Sequence, residues 1–135
     1  MSLLQIAVVV VSLALVATKF FDCWSTAVHM QGPSDETNPL ARAAMVRFGP
    51  SFTIWAIFGL VLAIVAMVGG SAYSAATDLL DQPNPPVLKL FAVWGYILLA
   101  LFISLVQAAV AHSNWTGRPN PITRAVRFVT SWLGG

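Results

Sequence analysis

The sequence predicts an all-α integral membrane protein with three transmembrane helices, a short interfacial helix after the first span and a C-terminal amphipathic surface helix. Three observations predict it. Hydrophobic residues make up 58% of the 135 positions and charged ones 9%, against roughly 45–50% and 25% in soluble domains. Apolar runs at Leu3–Phe21, Phe52–Thr77 and Leu90–Ala111 approach or exceed the ~20 residues needed to cross a hydrocarbon core. Basic residues also gather in the first connection and the tail, which three spans place on one side.

The first span is expected over about residues 3–29. Gln5 and Ser12 are its polar interruptions before Lys19. No basic residue precedes the run and no A-x-A site closes it, so the helix is expected to stay in the mature chain. At 1.5 Å per residue it would be ~40 Å long and would tilt or emerge from the bilayer. Gln31-Gly32-Pro33 should stop it, since glycine suits a helix C-terminus and proline cannot continue one.

Asn38-Pro39 reads as an N-cap with proline in the first turn of a helix over 39–48, ended by Gly49-Pro50. Ten residues are too few to span. The second span, about 51–79, carries Gly59, Ala63, Ala66, Gly70 and Ser74 at helical spacing. Such small-residue faces let membrane helices approach closely, and an internal contact with the first or third span is the expected use, with docking of another subunit as the second. DQPNPP makes a stiff turn, and the third span follows over about 87–112. The tail repeats the first loop's device, NPITRAV at 120–126 beside NPLARAA at 38–44, which implies shared cap chemistry. Over 121–133, Ile122, Val126, Val129 and Leu133 fall on one face and Thr123, Arg124 and Arg127 toward the other, the pattern of a surface helix.

Lys19, Arg42 and Arg47 belong to the first connection and Arg118, Arg124 and Arg127 to the tail, six of seven basic residues. The positive-inside rule then puts the first loop and the C-terminus in the cytoplasm and the N-terminus outside, in a prokaryotic inner membrane. Trp24, Trp55 and Trp115 fall near the inner boundary, Tyr73, Trp94 and Tyr96 toward the outer one. A cysteine at Asp81 should therefore react with an impermeant thiol reagent from outside, and one at Arg118 should not. The reverse labelling would invert the topology. Cys23, the only cysteine, would sit on the reducing side, and no disulfide within the chain can form.

Asp22, Ser25, Thr26 and His29 lie at i, i+3, i+4 and i+7, one face of the first helix, and Thr18 and Lys19 extend it. An ionisable group at membrane depth is costly and marks a function or a partner. Three uses compete. Asp22 and His29 stand about 10 Å apart along the axis, too far to share an ion, although His29 with Glu36 could. The N-terminus of the Asn38 helix, with Arg42 and Lys19, could hold a lipid phosphate while Asp22, His29 and Glu36 act as acid and base on the headgroup. Arg124 and Arg127 would add to the attraction for anionic lipid. The preferred use is structural, with Asp22 and the hydroxyls bonding the loop backbone and pinning the ETNP turn onto the first helix.

The sequence Asp22-Cys23-Trp24-Ser25-Thr26, followed by Glu36-Thr37-Asn38-Pro39-Leu40, fits D-x-x-[ST]-T … E-x-N-P-L. It resembles an uncharacterised family of small polytopic bacterial and archaeal membrane proteins over residues 19 to about 70. The resemblance implies a helical membrane fold with a structured cytoplasmic turn, and no activity.

His112 follows Ala108-Ala109-Val110-Ala111. Small residues one turn before a histidine leave room for a tetrapyrrole pigment or haem, the one cofactor contact the sequence suggests besides bound lipid. Asn114-Trp115-Thr116 is a glycosylation sequon that a cytoplasmic position would leave inert. No nucleophilic triad, phosphate-cradling glycine loop or zinc motif is present, and the basic residues suit anionic lipid rather than nucleic acid. The expected function is therefore a non-catalytic accessory subunit of a larger membrane complex, such as a respiratory or photosynthetic one, with Gly134-Gly135 held against larger subunits. The alternative is a small membrane enzyme or transporter handling a lipid or phosphate headgroup around Asp22–Asn38.

Overall fold

The computed structural model describes residues 1–36, 38–81 and 86–133, with the side chains of residues 80, 81, 127, 130, 132 and 133 excepted. The DQPNPP turn and Gly134-Gly135 thus lie largely outside the described residues, as does the Arg127 side chain. Every regular element among them is helical: α1 Leu3–His29, α2 Pro39–Phe48, α3 Pro50–Asp81, α4 Val87–Thr116 and α5 Pro121–Leu133. α1, α3 and α4 are long and apolar enough to cross a membrane.

The ends follow from local chemistry. Ser2 and Gln5 form a reciprocal capping box at the start of α1, each side chain bonding the other's backbone N–H. A 3-10 turn at Pro33–Asp35, not expected from the sequence, follows α1, and Asp35 Oδ2 accepts from Gln31 and Gly32 N–H. The Asn-Pro pairs work alike. Asn38 Oδ1 accepts from Leu40 N and Ala41 N, and Asn120 Oδ1 accepts from Thr123 N. Pro39 and Pro121 are the first helical residues. Gly49 turns α2 into α3 with φ of 89°, a left-handed value that favours glycine.

α1 packs against both α3 and α4, whose mutual contact is slighter. At one end all three helices share a core around Val8, Leu15, Val65, Ala76, Val93 and Ile97. At the other end Cys23, Met45 and Ile54 join α1, α2 and α3, and that core contains no α4 residue. The space between it and α4 is the chamber described below.

Among the described residues, four side-chain pairs clamp α1 to its neighbours along its length. Gln5 Nε2 donates to Thr77 Oγ1 at 2.8 Å, the Ser12 and Tyr96 hydroxyls hydrogen-bond at 2.7 Å, Thr18 donates to Gln107 at 3.0 Å, and Asn114 donates to Thr26 at 3.2 Å. Each pairing satisfies a polar group that lipid could not. Tyr96, expected at the outer aromatic belt, instead turns its hydroxyl inward to Ser12.

The small-residue line of α3 corrects another expectation. Gly59, Ala63, Ala66, Gly70 and Ser74 are all exposed, and a Cβ added at Gly59 or Gly70 would meet nothing within 4 Å. The internal seam uses the next line round the helix, Val65, Gly69, Ala72 and Ala76, which is buried. Gly69 is where side chains of both neighbours crowd the α3 backbone: a Cβ there would lie 2.7 Å from the Tyr96 hydroxyl and 3.1 Å from Ser12 Oγ.

Candidate functional site

A chamber of about 570 Å³ opens at the loop end of the bundle. The polar stripe of α1 forms one wall, Met45 and Ile54 the second, and Val110, Ser113 and Asn114 of α4 the third, with the loop before α2 and the start of α5 closing over it. α5 reaches this position because Gly117, at φ 66°, reverses the chain and Asn120 Nδ2 bonds the Ala109 carbonyl at 2.7 Å.

The expected residues do meet here, but with other partners. Asp22 does not pin the loop. Its Oδ2 accepts from Lys19 Nζ at 2.7 Å, one turn back on the same helix, and both side chains are 16% exposed. Intrahelical spacing of three makes this pairing available without any tertiary contact, which is why it displaces the longer reach to the loop. Ser25 and Thr26 likewise turn their hydroxyls onto the Asp22 carbonyl, at 3.0 and 2.8 Å, and His29 Nδ1 meets the Ser25 carbonyl at 2.9 Å. The loop caps itself. Glu36 Oε1 accepts from Asn38 N at 2.8 Å, and Arg42 donates from Nε, at 2.8 Å, and from its terminal nitrogen to the Glu36 carbonyl.

These pairings dismantle the expected anion site. The α2 N–H groups are taken by Asn38 and the Arg42 fork by a carbonyl, while Lys19, which spends one N–H on Asp22, faces the chamber instead of the α2 N-terminus. Arg42 and Arg124 are exposed and neither lines the chamber. Asp22, Asp35 and Glu36 do, so among the described residues the lining carries one ammonium against three carboxylates. His29 and Glu36 both face the chamber but hold different partners. Among the described residues no group of three or more His, Cys, Asp or Glu side chains is placed to hold a metal.

Among the polar lining residues, Asp35, Ser113 and Asn114 were not singled out as site residues from the sequence. Ser113 is 4% exposed, and its hydroxyl has no hydrogen-bond partner among the described residues. Asn114 entered only as a sequon, yet its amide ties α4 to Thr26. A polar pair at the apolar-to-polar transition of a span was the available signal.

His112 lies on the other side of the α1–α4 seam. It is exposed and borders an apolar groove of about 320 Å³ with Phe21, Trp24, Ala108, Ala111 and Trp115. Ala108 and Ala111 are the groove's small lining residues beside the imidazole. Trp24 stacks on Trp115 with centroids 5.3 Å apart, and the His29 ring meets Trp115 edge-on at 5.2 Å, so the groove floor is a fixed aromatic cluster.

Comparison with protein-family models, curated proteins and solved structures finds no match for this chain.

Proposed function

We propose that this chain is a non-catalytic accessory subunit of a larger membrane complex, docked through α3. The observation that supports this reading is the exposed line Gly59, Ala63, Ala66, Gly70 and Ser74, which α1 and α4 leave uncovered. Trp55 and Leu62 border it on one side and Leu60 and Met67 on the other, all exposed. The line is thus a groove between ridges, the shape into which the ridge of a neighbouring helix fits. In lipid there is no hydrophobic gain from covering an apolar face, so close backbone approach along small residues is what drives association. A partner's spanning helix fills it.

Purification in mild detergent tests the reading: the chain should elute in stoichiometric association with larger subunits. An Ala63→Cys variant in a Cys23→Ser background adds a second measurement. Oxidation should give adducts with a different, larger chain. A disulfide-linked pair of this chain, or a stable small homo-oligomer, would overturn the accessory reading.

A further inference from the structure

We infer that the loop-end chamber binds a phosphate ester carrying a primary amine, the phosphoethanolamine group, with the phosphate at Lys19 and Ser113 and the ammonium at the Asp35–Glu36 rim. The chamber's charge pattern suits a ligand carrying both signs. Its three carboxylates disfavour an anion alone, and its Lys19 ammonium keeps two N–H donors that a cation alone would leave unused. A zwitterion meets both.

The order of groups along the helix axes fits the same ligand. α1 runs Lys19, Asp22, Ser25, His29 toward the loop, so the ammonium lies deepest and the acidic loop residues lie at the rim. Ile57 and Val110 form apolar wall at the level of the deep groups. In a bilayer-embedded amphiphile the sequence from core to water is acyl chain, phosphate, amine, which matches this succession.

Hydrogen-bonding capacity remains where the ligand needs it. Lys19 uses one of its three N–H donors on Asp22. Ser113 is more than nine-tenths buried, lines the chamber and makes no hydrogen bond among the described residues, so its hydroxyl is free for a ligand there. A phosphate oxygen would satisfy both. At the rim, Glu36 Oε1 holds Asn38 N, and its second oxygen is available to an ammonium.

The group can come from a zwitterionic lipid or from soluble phosphoethanolamine, and the test separates these. Delipidated protein is titrated with mixed micelles containing phosphatidylethanolamine or phosphatidylglycerol, and separately with soluble phosphoethanolamine and inorganic phosphate. Native mass spectrometry reads retention and thermal unfolding reads stabilisation. One phosphatidylethanolamine per chain should be held with about tenfold preference over phosphatidylglycerol, the effect of one charge-assisted hydrogen bond. Glu36→Gln keeps the acceptor that caps Asn38 but removes the charge, and should abolish most of that preference. Ser113→Ala should lower retention of both lipids. Stabilisation by soluble phosphoethanolamine with none by phosphatidylethanolamine supports the site and assigns it a soluble ligand. Equal or better binding of phosphatidylglycerol or inorganic phosphate overturns the proposal, as does a preference unchanged by Glu36→Gln.

Discussion

Gly69→Leu should prevent accumulation of folded protein, whereas Ala66→Leu, three residues away, should leave the isolated fold intact. The two positions differ in what stands over them. At Gly69 even a methyl group would come 2.7 Å from the Tyr96 hydroxyl, 3.3 Å from the ring carbon that bears it and 3.1 Å from Ser12 Oγ. Tyr96 cannot swing aside freely, because its hydroxyl is bonded to Ser12 at 2.7 Å. Gly69→Ala should therefore cost ~1–3 kcal/mol through overpacking, and leucine more. Ala66 is exposed, so leucine there meets no part of this chain. Its effect should appear only in assembly with a partner. Thermal unfolding in detergent reads the first effect and co-purification the second. Tyr96→Phe supplies the control: it removes the nearest atom, so Gly69→Ala should cost less in that background, a coupling that a double-mutant cycle measures. Equal stability of Gly69→Leu and the parent would mean that α1, α3 and α4 do not meet at this level.

That contrast also shows what the sequence could and could not convey. Composition and run length determine that there are three long apolar helices, and Asn-Pro and Gly-Pro determine where several helices begin and end, because caps depend on residues within a few positions. The choice between Gly70 and Gly69 as the packing line depends on which way α3 is rotated. Gly59-Ala63-Ala66-Gly70 and Val65-Gly69-Ala72-Ala76 both recur at helical spacing and both are mostly small, so periodicity favours neither. The Asp22 stripe has the same character. Periodicity correctly put Asp22, Ser25, Thr26 and His29 on one face, and that face does line a chamber with Glu36 and Asn38. The partners were illegible because each side chain had a bond available on its own helix, three or four residues back. Local closure of this kind competes with any tertiary contact. Ser113 and Asn114 became visible only when α4 was placed opposite α1.

The second large effect concerns the Lys19–Asp22 pair. Asp22→Asn and Asp22→Ala should both destabilise the protein, by about 3–5 kcal/mol, because each leaves the Lys19 ammonium inside the bundle without its countercharge. Both side chains are 16% exposed and the contact is 2.7 Å, so solvent offers little replacement. Asparagine can still accept a hydrogen bond, which places it at the lower end of that range. The charge-neutral double variant Lys19→Met/Asp22→Leu should recover most of the loss, since matched apolar side chains replace a desolvated ion pair at little net cost. Protein abundance and thermal unfolding in detergent read all three variants. Had Asp22 pinned the loop through hydrogen bonds, asparagine would be tolerated and the double variant would fail as badly as alanine. The double variant also separates the fold from the chamber's ligand: it should remain folded while losing its preference for phosphatidylethanolamine, because no ammonium is left at the depth where a phosphate would sit.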